Sequence, residues 1–267
     1  MVPKVVIPVG YGLNCEDETA YAFEMVGASV DKIFIKDITE KPSVLEDYHI
    51  LALVGGFSFG DHIAAGKVLA NIYKFKLGDE VQRFIEAGKL IFGECNGFQI
   101  LVKAGILPGF NGDYRTQSVT LVYNDSGRFE DRWVNLKVNQ ASKCIFTEGL
   151  KEVYLPVRHG EGKFVTKDAA ILQRLQNGNQ IVLQYAKEDY TPTMDYPQNP
   201  NGSIEAVAGI CDPSGRVFGK MPHSSAYLSP YNHPYWTREK VDRVLHNEGG
   251  GVPFFRNAVN YIQREFK

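Results

Sequence analysis

The sequence predicts an α/β protein built on a doubly wound, mostly parallel sheet that is flanked by helices. Two observations predict this fold class. Over roughly the first hundred residues, short apolar runs alternate with longer amphipathic runs, as in βα units around a parallel sheet. Beyond Gly109 the pattern changes to period-2 runs separated by Gly, Asn and Asp, so the C-terminal half is expected to be richer in strands.

Each expected element follows from its own run of residues. In the first part of the chain, the apolar runs predict strands at residues 5–9, 32–35, 50–54 and 90–93. Amphipathic runs predict helices at residues 16–26, 61–74, 79–86 and 98–104. Gly27 and Gly88 stand where two of these helices should stop. In the second part, alternating runs predict strands at residues 118–123, 133–138, 153–157, 181–185, 207–211 and 216–220.

The end of the chain carries an apolar stripe at helical spacing between Pro253 and Phe266, which predicts a helix that closes the sheet. The turn-rich stretch from Glu188 to Gly202 contains aromatic residues, so we expect an ordered excursion there rather than a linker. No repeat or low-complexity tract divides the sequence. We therefore expect one domain over residues 1–267.

The composition excludes several classes of protein. With 44% hydrophobic and 22% charged residues, the 267-residue chain is typical of a folded protein that can bury a core. Its net charge of −2 lacks the positive excess of nucleic-acid binders, which favours small molecules and proteins as partners. No segment has the length and apolarity of a signal sequence or membrane span, so we expect a cytoplasmic protein without a membrane partner. The scattered cysteines show neither a CxxC pair nor zinc-ligand spacing, so we expect no metal site and no disulfide framework.

The sequence Gly-Glu-Cys-Asn-Gly at residues 93–97 follows one predicted strand and opens a predicted helix. This is the G-x-nucleophile-x-G pattern of an elbow turn, in which small neighbours let strand and helix approach closely around a strained residue. A thiol at this position gains the dipole and free N–H groups of a helix N-terminus, which favour thiolate and can hold an oxyanion. Cys95 is therefore the candidate nucleophile, and a buried, inert cysteine at a tight turn is the alternative.

A second glycine-rich segment, GGFSFGD, begins at Gly55 and also follows an apolar strand. In an open α/β sheet, loops at the carboxyl ends of strands meet at one crevice, so this loop and Cys95 should face each other. The pair Gly55 and Gly56 offers bare backbone N–H groups, and a plain turn is the alternative.

A cysteine nucleophile needs a base, and six histidines compete for that role. His223 stands out because it follows Met221 and Pro222 in a short loop after a predicted strand. His246 is expected in a helical segment, and His49 precedes a core strand. The pattern alone favours His223 without excluding the others.

Several longer strings together resemble one known family. The strings GGFSFGD, GECNGFQILVKAGILPG, RFEDRWVNLKV, RHGEGKF and NPNGS, followed by AGICDPSGRVFGKMPH, are similar in order and spacing to the glutaminase subunits of phosphoribosylformylglycinamidine synthase, which are class I glutamine amidotransferases. The opening string GLNCEDETAYAFEMVGASVD looks like the first strand, loop and helix of the same family. The matches run from about residue 5 to residue 236. The resemblance implies the flavodoxin-like fold of class I glutamine amidotransferases.

The resemblance also implies a reaction. Cys95 would attack the side-chain amide of glutamine to form a thioester, with His223 as base and acid, and water would then release glutamate. The ammonia would pass to a separate synthase large subunit, which makes formylglycinamidine ribonucleotide for purine biosynthesis. ATP and Mg²⁺ would bind to that subunit, so no cofactor is expected here. The resemblance also allows a small accessory subunit as a partner.

The same resemblance assigns binding residues. Backbone N–H groups near Gly56 and Asn96 would bind the oxyanion of the reaction, and Phe57 belongs to the first of these two loops. The residues implied beside the glutamine pocket are Gln99, His159 and Gly160.

The sequence departs from the family directly after the base. The family's ending is His-Pro-Glu, in which the glutamate fixes the tautomer of the base and stabilises its charge, whereas this chain reads His223-Ser224-Ser225. A serine hydroxyl can hydrogen-bond to an imidazole without supplying negative charge, so Ser225 is assigned the orienting role. Glu94 is unusual as well, because a carboxylate beside the nucleophile opposes thiolate formation unless it points away.

Two other hypotheses follow from the sequence. The missing glutamate motivates a scaffold or regulatory subunit of the same complex that has lost most of its catalysis. Another cysteine-elbow hydrolase of similar architecture is the third hypothesis, and the long family strings argue against it.

Overall fold

The computed structural model describes residues 1–244 and 246–266, in which nine strands form one mixed sheet and two more form a small separate sheet. The strands are β1 (Lys4–Val9), β2 (Ser29–Phe34), β3 (Ile50–Leu53), β4 (Leu90–Glu94), β5 (Val119–Val122), β6 (Glu130–Val138), β7 (Glu152–His159), β8 (Lys163–Thr166), β9 (Ile181–Ala186), β10 (Val207–Cys211) and β11 (Val217–Lys220). The α-helices are α1 (Glu16–Met25), α2 (Ile35–Glu40), α3 (Lys67–Phe75), α4 (Gly78–Glu86), α5 (Asn96–Ala104), α6 (Ala169–Asn177), α7 (Trp236–Val241) and α8 (Val252–Glu265).

One half of the large sheet is parallel, in the order β2-β1-β3-β4-β11. Strands β3 and β4 are buried along their whole length because helices cover both faces. In β4, Phe92 packs against Phe255 of α8, whereas the neighbouring Gly93 lies against Leu101 of α5. The parallel register brings the carboxyl ends of β3, β4 and β11 to one edge of the sheet, where Glu94 lies beside Lys220.

The other half of the large sheet is antiparallel and continues from β11 in the order β10-β9-β6-β7. Strands β6 and β7 form a long ladder whose last pair joins Glu130 to His159. Strands β5 and β8 pair with each other outside this sheet. These pairings confirm the predicted doubly wound fold and its strand-rich second half, and the parallel part carries the site described below.

The C-terminal helix α8 packs on one face of the parallel half. Its buried residues are Val252, Phe254, Phe255, Ala258, Val259 and Ile262. The Phe255 ring meets Phe23 of α1 and Phe92 of β4 edge-on, with ring centroids 4.9 and 5.6 Å apart. The predicted closing helix is thereby confirmed.

Several predicted elements differ in extent from those observed. Helix α3 begins only at Lys67, because backbone in the left-handed region interrupts the run before it, at Asp61 (φ 54°), Ile63 (φ 73°) and Gly66 (φ 72°). Strand β8 and helices α2, α6 and α7 were not among the predicted elements. The prediction that His246 lies in a helix is wrong, because α7 ends at Val241. Across residues 1–244 and 246–266, no helix is long and apolar enough to cross a membrane.

Candidate active site

Cys95 occupies a strained turn between β4 and α5. Its backbone has φ 53° and ψ −106°, a conformation that residues with a side chain rarely adopt. A Cβ added to Gly93 would lie 2.5 Å from Leu101 Cδ1, and one added to Gly97 would lie 1.9 Å from the carbonyl oxygen of Leu53. The two glycines therefore let helix and strands approach, as the elbow pattern predicts.

The Cys95 side chain is a buried thiol. Burial, and after it the charge of Glu94, raises the pKa of Cys95 to about 12, although the Asn96 backbone N–H and Arg158 act in the opposite direction. The sequence led us to expect a thiolate at this helix N-terminus, and burial outweighs that effect here. The thiol donates a hydrogen bond to the carbonyl oxygen of Arg158, with the sulfur 3.6 Å from the oxygen.

His223 lies in the loop that follows β11, two residues after Met221. Its backbone N–H donates to the carbonyl of Pro156 at 2.8 Å. Its ring is buried, with Nδ1 3.4 Å from Arg158 Nη2 and 3.7 Å from Glu94 Oε1. Nε2 has no hydrogen-bond partner among the residues that the structure describes. Burial lowers the pKa of His223 to about 4, against the opposing effect of Glu94, so the imidazole is neutral near pH 7.

The Glu94 carboxylate points toward the base rather than toward solvent. Its Oε2 atom accepts hydrogen bonds from Lys220 Nζ (2.5 Å) and from the N–H and hydroxyl of Ser224 (both 2.7 Å). Its Oε1 atom accepts a hydrogen bond from the Ser225 hydroxyl. The role predicted for Ser225 therefore changes, because its hydroxyl binds Glu94 rather than the His223 ring.

The Gly55–Gly56 loop lies next to the base, as predicted from the strand ends. A Cβ added to Gly55 would lie 2.9 Å from both His223 Cε1 and Cys15 Sγ. Gly56 has φ 142° and lies against Leu13, which only a glycine permits. The N–H of Phe57 donates to the Gly12 carbonyl at 2.8 Å, so this amide is already engaged and Gly56 is the candidate oxyanion donor of the loop.

A chain of hydrogen bonds joins the start of α5 to the loop after β7. The Asn96 side chain donates to Gln99 Oε1 at 2.9 Å, and the Gln99 amide donates to the carbonyl of Glu161 at 2.7 Å. The Glu161 carboxylate accepts from Lys103 Nζ (3.2 Å) and from the N–H of Ala65. Gln99 thus holds the two segments that border the site.

His159 ends β7 and Gly160 follows it, and both are predicted to lie beside the glutamine pocket. Burial lowers the pKa of His159 to about 3, and its ring nitrogens lie 3.1 Å from Asn124 Oδ1 and 3.4 Å from Asn201 Nδ2. The carbonyl of Gly160 accepts the backbone N–H of Asn124 at 3.0 Å. Both ring nitrogens of His159 therefore face amide side chains, which hold the ring in place.

Sequence reasoning gave no role of its own to Arg158 or to Lys220. Arg158 contacts both the thiol, through its carbonyl, and the base, through its guanidinium. Lys220 is completely buried at the end of an apolar strand, which is an unusual place for a lysine. The sequence signal was the charged residue itself, because a lysine within a buried strand requires an acidic partner.

Comparisons with known proteins identify the family to which the chain is related. The family described as the CobB/CobQ-like glutamine amidotransferase domain matches residues 2–262. The phosphoribosylformylglycinamidine synthase subunit PurQ of Dehalococcoides mccartyi is 45% identical over 253 residues and is covered, like this chain, over 95% of its length. The protein of that name from Methanococcus maripaludis is 38% identical over 273 residues, with 99% of both chains covered.

A solved structure gives the same picture. A chain from the structure of PurLQS from Thermotoga maritima superposes with a TM-score of 0.72 and 29% sequence identity, over 98% of this chain and 100% of that one. The resemblance found in the sequence strings is therefore confirmed over nearly the full length. The chain belongs to the CobB/CobQ-like family of glutamine amidotransferases.

Proposed function

We propose that this chain is the glutaminase subunit of a phosphoribosylformylglycinamidine synthase and that Cys95 is its nucleophile. Relatives of that name align with almost the whole chain, at 45% and 38% identity. The observation that supports this chemistry is the strained turn at Cys95, which follows β4. The proposed base, His223, follows the neighbouring strand β11, and its Nε2 atom has no hydrogen-bond partner among the described residues.

The first half of the reaction forms a thioester. When glutamine binds, the Cys95 thiol turns from the Arg158 carbonyl and gives its proton to Nε2 of His223, while the sulfur bonds to the amide carbon. The N–H groups of Gly56 and Asn96 bind the resulting oxyanion. The carbon–nitrogen bond then breaks, and the imidazolium gives its proton to the leaving ammonia.

The second half regenerates the thiol. Neutral His223 takes a proton from water, and the hydroxide attacks the thioester carbon. The carbon–sulfur bond breaks, the sulfur leaves as thiolate, and the imidazolium returns the proton to it. Glutamate is released, and the net reaction consumes one glutamine and one water and gives glutamate and ammonia.

The ammonia is used by a partner. A synthase large subunit takes it to make formylglycinamidine ribonucleotide in purine biosynthesis, with ATP and Mg²⁺ bound to that subunit, and this chain needs no cofactor of its own. A small accessory subunit completes the complex. The PurLQS structure from Thermotoga maritima, whose chain resembles this one, supports such an assembly.

The scaffold hypothesis loses its motive. It rested on the absence of a glutamate at position 225, and the geometry of Glu94 supplies a carboxylate close to the base by another route. The hypothesis of an unrelated cysteine-elbow hydrolase is disfavoured by the length of the family match.

The test is synthesis by the assembled complex with either glutamine or ammonia as the nitrogen source. We expect Cys95→Ala to abolish glutamine-dependent synthesis and to leave ammonia-dependent synthesis intact. Cys211→Ala is the matched control, because Cys211 pairs with Phe218 at the far end of the strands and should leave both activities intact. Equal loss of both activities in Cys95→Ala would refute the role of Cys95.

A further inference from the structure

We infer that Glu94 is the positioning carboxylate of the catalytic triad, supplied by the strand before the nucleophile instead of by the residue two places after the base. This inference rests on the proposed glutaminase function and assigns a residue to it. The usual place for that carboxylate, position 225, holds a serine. Glu94 would orient His223 and stabilise the imidazolium that forms when the thiol proton moves.

The sheet register brings Glu94 to the base. Strands β4 and β11 are parallel neighbours, and Glu94 is paired in register with Lys220, the third residue before His223. The Glu94 side chain is completely buried, and its Oε1 atom lies 3.7 Å from Nδ1 of the ring. Nδ1 is the ring nitrogen that must carry a proton when Nε2 accepts one from the thiol.

The two carboxylate oxygens have different partners. Oε2 accepts all the bonds from Lys220 and Ser224, which fixes the carboxylate on the protein. Oε1 accepts one hydroxyl hydrogen, from Ser225, and faces the base. The oxygen that is not bonded to Lys220 is therefore the one that faces the base, and the Ser225 hydroxyl holds it there.

Lys220 has a second contact that serves the same geometry. Its Nζ atom donates to the carbonyl oxygen of Pro222 at 2.6 Å as well as to Glu94. Lys220 thus ties the carboxylate to the residue directly before the base. Burial alone would raise the pKa of Glu94, but Lys220 and, after it, His223 lower it to about 2, so the carboxylate is ionised at neutral pH.

The position of Glu94 explains how a carboxylate beside the nucleophile can help catalysis. Burial first, and after it the charge of Glu94, raises the pKa of Cys95 and keeps the thiol protonated in the resting enzyme. The same charge favours the imidazolium, which forms only as the thiol proton is transferred. Glu94 therefore acts on the transition state more than on the substrate complex, and the effect belongs to kcat rather than to the KM for glutamine.

The first experiment measures glutamine hydrolysis by the assembled complex for wild type and Glu94→Gln. We expect kcat to fall between about tenfold and the 10⁴-fold loss of a serine triad without its carboxylate, with the KM for glutamine within about twofold. Ammonia-dependent synthesis should be retained. If Glu94→Gln fails to fold because Lys220 is left unpaired, the double variant E94Q/K220M removes both charges, and the same fall in kcat is expected.

The second experiment moves the carboxylate. Glu94→Ala opens space, and E94A/S225E places a carboxylate at the family position while keeping one acidic group beside Lys220. We expect E94A/S225E to recover at least about tenfold in kcat over Glu94→Ala. The assignment is overturned by wild-type kcat in folded Glu94→Gln or E94Q/K220M, or by a swap no faster than Glu94→Ala. A wild type that hydrolyses no glutamine in the complex would instead refute the proposed function itself.

Discussion

At the scale of single residues, Arg158 determines the resting state of the site. Its carbonyl accepts the hydrogen bond of the Cys95 thiol. Its guanidinium lies next to Nδ1 of His223, whereas Nε2 is the ring nitrogen proposed to accept the thiol proton. The pKa of His223 is set by burial first, which lowers it, then by Glu94, which raises it, and by Arg158 and Lys220, which lower it. Removal of the negative charge of Glu94 should therefore lower this pKa, and removal of the positive charge of Arg158 or Lys220 should raise it.

Replacement of Arg158 by methionine removes a cation next to the His223 ring. We expect the pKa of His223 to rise from about 4 by about one unit, because the protonated ring no longer meets a like charge. The rise would move the acid limb of activity to higher pH, since His223 must be neutral to accept the thiol proton. NMR titration of the His223 ring measures the shift. The exposed Arg128 is the matched control, and an equal shift in Arg128→Met, or none in Arg158→Met, would contradict this electrostatic account.

The candidate nucleophile and base could be chosen from the sequence because each follows a strand at the same edge of the sheet. The role of Glu94 could not, because it depends on the register between two strands that are more than a hundred residues apart in sequence. The same limit applies to His159, whose partners Asn124 and Asn201 come from two distant loops. Pattern alone places a residue in a loop and leaves the direction of its side chain open.

At the scale of elements, the elbow joins β4 to α5 through two glycines. Gly97 stands in the first turn of α5 and lies against the carbonyl of Leu53 in β3, so α5 can cross the strand ends closely. This packing holds the α5 N-terminus, with the Asn96 N–H, beside the thiol. The sequence pattern predicted the turn correctly, because the steric need for glycine is local to it. By contrast, the late start of α3 could not be predicted from the sequence of residues 61–66. Their backbone conformation depends on contacts with α5 and with the loop after β7.

Substitution of Gly97 by alanine should break this packing. The new Cβ would lie 1.9 Å from a backbone oxygen, which cannot turn away as a side chain does. We expect the free energy of unfolding to fall by about 3 kcal/mol or more.

Gly78→Ala is the matched control for Gly97→Ala, because Gly78 also lies in the first turn of a helix and its added Cβ would meet no atom closer than 3.7 Å. Its stability should stay within about 1 kcal/mol of wild type. Urea unfolding of both variants measures the difference, and equal stability of the two would show that the close approach at Gly97 is not needed.

At the scale of the whole molecule, one sheet joins a parallel half that carries the site to an antiparallel half that supports the loops around it. The change of period beyond Gly109 predicted a strand-rich second half but not its antiparallel pairing, although period-2 runs are typical of antiparallel strands with one covered face. The order in which the strands pair could not be predicted, because β11 returns next to β4 after a long excursion through the other half. Helix α8 then covers the parallel half and ties the end of the chain to its beginning.

The contribution of α8 can be measured at Phe255. This ring is buried between Phe23 and Phe92, so Phe255→Ala should lower the free energy of unfolding by about 3–5 kcal/mol. Phe75→Ala is the control, because its ring is 75% exposed and its loss should change stability by less than about 1 kcal/mol. Thermal or urea unfolding measures both, and a similar loss for the two variants would contradict the packing described for α8.

The central claim is that catalysis proceeds through a thioester on Cys95, and mass spectrometry of an acid-quenched reaction tests it most directly. The assembled complex is mixed with glutamine, quenched during turnover, digested and searched for an added glutamyl group. We predict the adduct on the peptide that contains Cys95 and its disappearance in Cys95→Ala. An adduct on the peptide of Cys15, the other buried thiol near His223, or rapid turnover with no adduct on any cysteine, would contradict the account.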